Sequence, residues 1–434
     1  MNPLIFREYD IRGIAETELT DDVAVTVGRA FGTYIRRHRG RRVTLGQDVR
    51  LSSPRLAGHL AEGILSTGVD VVRLGVVPTP TLYFSVAQQG VDGGLQVTGS
   101  HNPIEYNGFK MCLGMAPVYG PDIQGLAGLC RAGDFETGSG TLREEDVVPA
   151  YQDMLRSKIR LTRSSKLAVD AGNGVAGPVA VPVLKGMGQQ VLELYTEPDG
   201  RFPHHLPDPT VLKYTQDLVA LVRRERCDLG IGWDGDADRI GAVDETGRLL
   251  WGDQLLGILA ADVLTRHPGA KVIFDVKCSQ GLEELLRARG AQAIMWKTGH
   301  ALLKAKMREE GALIAGEMSG HMFFAENYYG FDDAIYATLL LLQILDRRGA
   351  KLSELLAEIP QYVSTPETRL DTTDADKFRI VATVRDYFKK THPVVDIDGA
   401  RVQFGDGWGL VRASNTQPVL VVRFEARTQE RLDA

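Results

Sequence analysis

The sequence predicts an α/β protein with three similar α/β domains in series and a smaller α+β domain at the C-terminus. The main observation is a pattern that occurs three times: a short apolar strand, a polar or Gly-rich turn, a helix, a glycine and a second strand. Such a unit is typical of the right-handed crossover between two parallel strands of one sheet. The copies begin near residues 42, 166 and 271, which indicates one α/β domain per copy. A chain of 434 residues also has room for about three or four domains of ordinary size.

The elements follow in order along the chain. The first strand of each copy is predicted at 42–46, 166–170 and 271–275. The helix that follows is predicted at 56–65 in the first copy, to end at 185 in the second and at 283–289 in the third. The second strand is predicted at 69–74, 190–195 and 293–296. After about residue 360 the pattern changes to one helix and four short strands with Asp-Gly turns, which favour antiparallel hairpins, at 376–390, 394–397, 400–404, 409–413 and 419–424. We therefore predict four domains, at 1–144, 145–248, 249–360 and 361–434.

The composition excludes several classes of protein. The net charge is −6, with 44% hydrophobic and 24% charged residues, so nothing favours nucleic acid or an acidic membrane as a partner. The longest apolar stretch, 334–345, is too short to span a bilayer, and the N-terminus is too charged for a signal peptide. The cysteines have no Cys-x-x-Cys spacing and are predicted to be reduced core thiols: Cys112, Cys130, Cys227 and Cys278. We expect a cytoplasmic protein.

The first candidate site is the loop Thr-Gly-Ser-His-Asn-Pro at 98–103, which follows an apolar strand. A serine at the point where a strand breaks into a Gly- and Pro-containing loop has an exposed hydroxyl and free backbone N–H groups around it. His101, Asn102 and Lys110 supply donors suited to phosphate oxygens. We therefore interpret Ser100 as a nucleophile that carries a phosphoryl group. The alternative is an ordinary turn, because the same residue types are common in turns.

The most specific signal is the sequence Asp-Gly-Asp-Ala-Asp-Arg at 234–239. Asp234, Asp236 and Asp238 alternate, so an extended loop can point all three carboxylates one way and offer them to a hard cation such as Mg²⁺. An EF-hand would need a later Glu in the same loop, and a solvated acidic turn is the other alternative. Arg239 is suited to hold a phosphate or to fix a carboxylate.

A second function class is suggested by the glycines at 172–177. Together with Glu193, about twenty residues further on, they fit the dinucleotide-binding fingerprint of an NAD-dependent dehydrogenase. A tight strand-to-helix turn explains the same glycines. The dehydrogenase interpretation also leaves the Ser100 loop and the triple-Asp loop without a role.

Two polar groups in the third predicted domain suit a sugar. The loop Gly-Glu-Met-Ser-Gly-His places Glu317 and Ser319 where they can bind vicinal hydroxyls, and His321 where it can transfer a proton. A surface turn is the alternative for this loop. Lys277 and His300 add cationic groups at the ends of strands, where α/β sheets bind ligands.

The last candidate group lies in the predicted C-terminal domain. Arg412 begins a turn at 412–418 that is rich in hydrogen-bond donors and suited to a phosphate dianion. Arg423, on the next predicted strand, is either a further phosphate contact or an ordinary surface arginine.

Taken together, these stretches resemble the α-D-phosphohexomutase superfamily, and most closely its phosphomannomutase/phosphoglucomutase branch. The matching motifs occur in the family's order and are spread over nearly the whole chain, at 9–13, 98–103 with 107–110, 234–239, 316–321 and 412–418. The resemblance implies four domains around a central cleft. It also implies a phosphohexomutase that interconverts the 1-phosphate and 6-phosphate of mannose and/or glucose, through a phosphoserine enzyme and a hexose 1,6-bisphosphate intermediate.

The resemblance assigns roles to individual residues. Ser100 becomes the phosphoserine and shares one Mg²⁺ per chain with three carboxylates, Asp234, Asp236 and Asp238. The candidates for charge stabilisation and proton transfer are Arg12, Lys110, Arg239 and His321, and which group acts as the base stays open. The expected substrate-binding residues are Tyr9, His101, Lys277, His300, Glu317, Ser319, Arg412, Ser414, Asn415, Thr416 and Arg423. The expected partners are sugar phosphates, with no nucleic acid and no membrane, and the chain is expected to be a monomer.

The chain departs from the family pattern at two places. Ala237 stands where the family usually has Gly, so we expect a backbone there that is not left-handed. The chain also stops ten residues after Phe424, whereas relatives often add a closing helix, so we expect a lighter last domain. Within the family, phosphoglucosamine mutase is the nearest alternative, although its sugar loop typically has Gln where Met318 stands.

Overall fold

The computed structural model describes residues 1–415 and 418–434. Within these ranges the strands form four sheets, and each sheet is built from one consecutive part of the chain. The first three sheets combine parallel and antiparallel strands, and the fourth is antiparallel. The predicted fold class, three α/β domains and a smaller α+β domain, is therefore confirmed. The four domain boundaries stay a prediction.

The first sheet follows a short 3₁₀ helix at Pro3–Ile5. Its strands are β1 (Ile11–Ile14), β2 (Arg42–Gln47), β3 (Asp70–Val76), β4 (Gly93–Val97), β5 (Tyr106–Leu113), β6 (Ala116–Pro117) and β7 (Leu142–Glu144). Their order is β1-β5-β4-β2-β3-β7, with β6 paired to β5. The helices of this part are α1 (Asp21–Arg37), α2 (Ser53–Leu65), α3 (Thr79–Gln89), α4 (Pro121–Ala132) and α5 (Val148–Lys158).

Helix α1 shows why the sequence favours these elements. The Thr20 side chain caps its first turn by accepting from the Val23 N–H, and acidic residues follow at the positive end of the helix dipole. Arg36 and Arg37 lie in the last turn, where cations are favourable. Acidic and basic residues therefore each lie at the end of α1 where their charge is favourable.

The second sheet contains β8 (Lys166–Asp170), β9 (Gln190–Leu194), β10 (Leu229–Trp233), β11 (Ile240–Asp244) and β12 (Leu249–Leu250). Its order is β12-β11-β10-β8-β9. Its helices are α6 (Gly177–Gly186) and α7 (Gln216–Glu225), with a 3₁₀ turn at Leu212–Tyr214.

The third sheet contains β13 (Lys271–Asp275), β14 (Gln292–Trp296), β15 (Ile314–Gly316), β16 (Met322–Phe324) and β17 (Phe331–Asp332). Its order is β14-β13-β15-β16-β17. Its helices are α8 (Gly252–Arg266), α9 (Gln280–Ala288), α10 (His300–Glu310), α11 (Ala334–Arg348) and α12 (Leu352–Ala357).

These three sheets share one strand order, which positions the candidate site. In each, the two strands of the crossover unit and a third strand are parallel, and an antiparallel strand returns beside the third: β3-β2-β4-β5, β9-β8-β10-β11 and β14-β13-β15-β16. The loop between the third strand and the returning strand therefore leaves each sheet at the same edge. These loops are 98–105, 234–239 and 317–321, and they contain the three central motifs of the sequence.

The fourth sheet contains β18 (Val363–Ser364), β19 (Thr368–Asp371), β20 (Val394–Val395), β21 (Ala400–Gln403), β22 (Gly407–Ala413) and β23 (Val419–Ala426). Its order is β18-β23-β22-β21-β20, and β19 also pairs with β23. The helices are α13 (Asp376–Phe388) and α14 (Gln429–Asp433). The sequence analysis did not predict α14, because a five-residue helix leaves little periodicity to detect.

The first three domains share a continuous apolar core. Aromatic pairs cross between them, with the Phe84 and Tyr151 ring centroids 5.5 Å apart and those of Tyr83 and Phe331 5.4 Å apart. The fourth domain has only a small apolar contact with the third, in which Trp408 and its neighbours pack on Val276. Polar contacts therefore make up much of that boundary.

The structure bears on two observations made from the sequence, the cysteines and the apolar stretches. All four cysteines are free, although Cys130 is only half-buried and so is not a core thiol as predicted. Among the described residues, no helix combines the length and the apolar character needed to cross a membrane.

Candidate active site

Ser100 lies directly after β4, in the loop that leads to β5. Its φ of +48° is in the left-handed region, which is uncommon for a residue with a side chain. Its Oγ donates to Asp234 Oδ2 at 2.7 Å and lies 3.0 Å from His101 Nδ1. The sequence predicts an exposed hydroxyl, but Ser100 is only 2% exposed. The difference arises because the triple-Asp loop packs against it. The predicted nucleophile and the predicted metal loop are therefore in direct contact.

The loop between β10 and β11 carries three carboxylates that are 0% exposed, those of Asp234, Asp236 and Asp238. One oxygen of each lies within 4.8 Å of the others. Asp236 Oδ1 and Asp238 Oδ1 have no hydrogen-bond donor among the described residues. Burial and the two neighbouring carboxylates raise the pKa of Asp234 well above its usual range. Buried oxygens without donors are costly unless a cation neutralises them, so this set fits a hard divalent cation such as Mg²⁺.

Lys110 brings a fixed positive charge to this loop from β5. Its Nζ donates to Asp236 Oδ2 at 2.7 Å and to Asp238 Oδ2 at 2.5 Å. Burial opposes the charge of Lys110, but the carboxylates outweigh it and raise the pKa of this lysine above its ordinary value. Thr79 Oγ1 donates to Asp236 Oδ2 as well, at 2.6 Å.

Glycines allow the loops to approach each other closely. A Cβ on Gly235 would lie 2.5 Å from the carbonyl oxygen of Ser100, and one on Gly174 would lie 2.7 Å from the carbonyl oxygen of Gly235. Val175 N also donates to that Gly235 oxygen at 3.1 Å. Gly174 and Val175, in the glycine run at 172–177, therefore pack directly against the triple-Asp loop at 234–239.

Ala237 is in the left-handed region, with φ +62°, so the expectation of an ordinary backbone there was wrong. The reason is the tight reversal of the loop, in which Ala237 N donates to Asp234 O at 3.1 Å. The same reversal brings the N–H groups of Asp238 and Arg239 to Asp234 Oδ1, each at 3.1 Å. The alanine therefore carries strain that glycine would not.

Arg239, in the second domain, contacts one histidine of the third domain and one of the first. Its Nε donates to His321 Nε2 at 2.8 Å, and its Nη1 lies 3.4 Å from His101 Nε2. An arginine Nε–H can only donate, so His321 Nε2 is the acceptor of this bond, and His321 Nδ1 lies 2.9 Å from Asp332 Oδ2. Burial, followed by the charges of Arg239 and Arg12, lowers the pKa of His101 well below its usual value.

Asp238, His321 and Asp332 also have the spacing of a metal site. Lys110 already pairs with Asp238, and Lys304 Nζ donates to Asp332 Oδ1 at 3.0 Å. With two ammonium groups on two carboxylates, the cluster is balanced in charge without a further cation. We interpret it as a buried hydrogen-bond network.

The loop between β15 and β16 bonds to Gly299, which in turn contacts Tyr9 of the first domain. Glu317 Oε1 accepts from Gly299 N at 2.5 Å, and its Oε2 accepts from Ser319 Oγ at 2.9 Å. A Cβ on Gly299 would lie 2.9 Å from Tyr9 Cε1, and the Tyr9 ring meets the His300 ring edge-on with centroids 5.2 Å apart. Burial and nearby lysine charges hold the pKa of His300 well below its usual value. Four of the predicted substrate-binding residues therefore meet here.

Two predicted cations of the substrate site are paired with carboxylates. Lys277 Nζ lies 3.0 Å from Glu367 Oε2, and this contact lowers the pKa of Glu367 to about 2. Arg412 Nε and Nη2 each lie 3.1 Å from Asp398 Oδ2. The same oxygen accepts from Thr298 N at 3.0 Å, so Asp398 links the third and fourth domains.

The rest of the predicted phosphate clamp follows β22. Ser414 is buried and its carbonyl oxygen accepts from Lys377 Nζ at 2.7 Å, while Asn415 is half-buried. Thr416, which the sequence also assigns to the clamp, lies outside the described residues.

Two further predicted arginines have structural partners. Arg12 Nη2, on β1, donates to Asp10 Oδ2 at 2.6 Å. Arg423 is buried, donates to the Lys277 carbonyl oxygen and lies 3.6 Å from Glu425 Oε2. It is thus not a surface arginine, and these contacts attach the fourth domain to the third.

The chain matches four related domain families along its length. They are described as phosphoglucomutase/phosphomannomutase α/β/α domains I, II and III, at residues 3–134, 149–247 and 251–362, and as the C-terminal domain, at 367–434. A phosphomannomutase/phosphoglucomutase of Pseudomonas aeruginosa is 44% identical over 430 residues, which cover 99% of this chain and 93% of that protein. The chain belongs to the phosphoglucomutase/phosphomannomutase family.

Further relatives agree with this membership. A phosphoglucomutase of Neisseria gonorrhoeae is 43% identical over 434 residues, covering 99% of this chain and 94% of that protein. A crystal structure of a phosphoglucomutase/phosphomannomutase family protein from Burkholderia thailandensis matches with a TM-score of 0.93 and 45% identity, over 100% of this chain and 95% of that one. The resemblance seen in the motifs is confirmed, and the superfamily is that of the α-D-phosphohexomutases.

The alternative of an NAD-dependent dehydrogenase does not hold. Glu193, which would bind the ribose of a dinucleotide, instead accepts from Lys185 Nζ at 2.6 Å and from Thr196 Oγ1 at 2.7 Å. Gly174 of the fingerprint packs against Gly235 of the triple-Asp loop, as described above. Family membership explains both loops that the dehydrogenase interpretation left without a role.

Sequence reasoning missed several charged residues that act through predicted ones: Arg50, Lys304, Asp332, Glu367 and Asp398. Most of them lie far along the chain from the residue they contact, so no local motif marks them. Arg50 and its neighbour Asp48 did carry a signal, because they follow β2 at the edge of a parallel sheet where α/β proteins place functional side chains.

Proposed function

We propose that this protein is a phosphohexomutase, an intramolecular phosphotransferase of the isomerase class, which interconverts the 1-phosphate and the 6-phosphate of mannose and/or glucose. The observation that carries the proposal is the contact of Ser100 Oγ with Asp234 Oδ2. It joins a candidate nucleophile to a carboxylate set that fits a divalent cation. Membership in the family supports the same reaction.

Ser100 is proposed to work as a phosphoserine. The bond between phosphorus and Ser100 Oγ breaks while a bond forms to a free hydroxyl oxygen of the hexose 1-phosphate, and the hydroxyl proton passes to a base. The product is a hexose 1,6-bisphosphate, which turns around in the cleft. Its other phosphoryl group then returns to Ser100 and the 6-phosphate is left.

The residues around Ser100 suit this transfer. Asp234, Asp236 and Asp238 would hold Mg²⁺, which when bound neutralises charge on the transferring phosphoryl group. Lys110 and Arg239 would supply fixed positive charge from two domains, which is supported by the bonds of Lys110 to Asp236 and by the position of the Arg239 guanidinium between His321 and His101. Arg12 and His321 are the further candidates for charge stabilisation and proton transfer.

Recognition of the sugar is proposed for the third and fourth domains. Glu317 and Ser319 would bind two sugar hydroxyls, and Arg412 with Ser414, Asn415 and Thr416 would bind the phosphate that does not react. Glu317 and Arg412 both influence the pKa of Lys277, which supports a shared site. The remaining proposed contacts are Tyr9, His101, His300 and Arg423.

Finer points of the proposal concern the sugar and the state of the protein. Met318 stands in the sugar loop where phosphoglucosamine mutases typically carry Gln, so mannose and glucose phosphates are favoured over glucosamine phosphate. We further propose that the protein is cytoplasmic, because its four cysteines are free thiols and its charge pattern does not favour a membrane, and that it acts as a monomer.

The test is removal of the proposed nucleophile. Ser100→Ala should abolish turnover of glucose 1-phosphate and mannose 1-phosphate while the protein still binds both. Intact-mass measurement of the wild-type protein should show a phosphorylated fraction that decreases on incubation with excess substrate. Normal mutase activity in Ser100→Ala would contradict the proposal.

A further inference from the structure

Arg50 is a buried arginine that no sequence motif of the active site includes. It follows β2, is 1% exposed, and its guanidinium donates to backbone carbonyl oxygens of the Ser100 loop. Nη2 donates to the carbonyl oxygens of Ser100 at 3.0 Å and of Asn102 at 2.6 Å. Nη1 donates to those of Pro103 at 2.7 Å and of Tyr106 at 2.9 Å. Three carbonyl groups of the Ser100 loop and that of Tyr106, the first residue of β5, are thus directed at one side chain.

This use of an arginine is chemically specific. A guanidinium offers five N–H donors in a planar fork, whereas a lysine offers three from a single point, so a lysine cannot reproduce four separated bonds. Asp48 completes the arrangement, since its Oδ2 lies 3.4 Å from Arg50 Nε and accepts from Gly99 N at 2.9 Å. The buried charge is thereby partly compensated, as a buried ion requires.

The loop is also shaped to fit the guanidinium. A Cβ on Gly99 would lie 2.2 Å from Arg50 Nε and 2.3 Å from Cζ, so only glycine allows this approach. On the other side, a Cβ on Gly235 would lie 2.5 Å from the Ser100 carbonyl oxygen. The Ser100 carbonyl is therefore held between Arg50 and the metal loop, at a residue whose φ is +48°.

We infer that Arg50 is a positioning residue that fixes Ser100 Oγ for phosphoryl transfer, an inference that rests on the proposed function. With its carbonyl bonded to Arg50, Ser100 keeps its strained conformation and its Oγ stays between Asp234 and His101. Among the described residues, the guanidinium of Arg50 bonds to carbonyl oxygens of the first domain and lies beside Asp48, and not to the side chains proposed to bind the sugar and the distant phosphate. Its loss therefore acts on the transfer step and leaves substrate binding intact.

The test compares Arg50→Lys with a matched control, Arg401→Lys. Arg401 is 0% exposed and its Nη1 also donates to two carbonyl oxygens, those of Val276 at 2.7 Å and Cys278 at 2.9 Å, but it lies at the boundary of the third and fourth domains. For both variants we would measure kcat and KM with glucose 1-phosphate, and the rate at which glucose 1,6-bisphosphate phosphorylates the protein, followed by intact mass.

Arg50→Lys should lower kcat and the phosphorylation rate at least about tenfold, because a displacement near 1 Å is costly for transfer, while KM stays within about threefold. Arg401→Lys should lose about as much stability as Arg50→Lys, but its phosphorylation rate should stay within about threefold of that of the wild type. A kcat for Arg50→Lys near the wild-type value, or a rise in KM that accounts for the whole loss, would overturn the inference.

Gly99→Ala provides a second variant in case Arg50→Lys does not fold, because the added methyl group displaces the guanidinium from the loop side. It should show the same selective loss in kcat, and wild-type kinetics in Gly99→Ala would again overturn the inference. A wild-type protein that accepts no phosphoryl group at all would contradict the proposed function instead. The two failures are therefore distinguishable.

Discussion

Replacing Lys110 with methionine should lower the free energy of unfolding strongly when divalent cations are removed, and Mg²⁺ should restore part of the loss. The Lys110 ammonium lies 2.7 Å from Asp236 Oδ2 and 2.5 Å from Asp238 Oδ2, and both carboxylates are 0% exposed. Methionine has a similar length and keeps most of the packing, so the main change is the loss of the charge.

The magnitude follows from the burial of the pair. Removing one partner of a buried ion pair leaves an uncompensated charge and costs about 3–5 kcal/mol. In the variant, the carboxylates of Asp234, Asp236 and Asp238 lose the ammonium group of Lys110, and the charge of Arg239 still acts on Asp234. Mg²⁺ should then bind more tightly, and a concentration of about one hundred times its Kd would return roughly 2.7 kcal/mol.

The assay is urea unfolding of the wild type and the variant, in EDTA and in Mg²⁺. Lys304→Met is the matched control, because Lys304 is also buried and donates to one carboxylate, Asp332 Oδ1, at 3.0 Å. It should lose stability comparably, but Mg²⁺ should restore no more of it than it does in the wild type. The reasoning would be refuted if Lys110→Met lost less than about 1 kcal/mol in EDTA, or if Mg²⁺ failed to rescue it selectively.

Three more outcomes are expected. Arg412→Ala should lower kcat/KM by about one to two decades without unfolding the protein, because a lost charged hydrogen bond costs roughly 1.5–3 kcal/mol; an unfolded variant or wild-type kinetics would contradict the clamp. The kcat/KM values for glucose 1-phosphate and mannose 1-phosphate should lie within about a decade of each other, and Glu317→Ala should lower both alike. The two sugars differ only in the configuration at C2, so a hundredfold preference would show that a residue distinguishes that configuration. Ala237→Gly should leave the free energy of unfolding unchanged or raise it by up to about 1 kcal/mol, because the strain relieved at this left-handed position exceeds the conformational entropy that glycine loses on folding. A loss of stability equal to that of Ala242→Gly, in β11, would contradict this.

The repeat of strand, helix, glycine and strand was predictable because each unit obeys local rules. The strands at 166–170 and 271–275 were placed on their observed bounds, and the other strands of the repeat within two residues. The loops around Ser100, Asp234 and Glu317 were predictable for a similar reason. Each carries several polar residues within a short stretch, so a single loop is enough to mark a candidate site.

The supporting residues were not predictable because their partners are distant in sequence. Arg50 contacts a loop about fifty residues later, and Lys277 and Glu367 pair across ninety positions. Asp398 belongs to an Asp-Gly pair and was interpreted only as a turn, although its carboxylate joins Arg412 to Thr298. Ala237 was misjudged for another reason, since its backbone conformation depends on how the whole loop reverses.

The shared strand order gives a physical reason for where the chemistry lies. Where a parallel strand ends and an antiparallel strand returns beside it, both ends of the connecting loop are fixed by the sheet, and its side chains extend past the sheet edge. A loop held in this way can keep a strained serine in the first domain, three carboxylates that repel one another in the second, and a paired carboxylate and hydroxyl in the third. In the proposed reaction the intermediate presents each of its ends to Ser100 in turn. In this proposal, transfer takes place where the loops of the first two domains meet, at the contacts of Lys110 and Gly235. Recognition takes place between the last two domains, which meet through the polar contacts of Asp398 and Glu367.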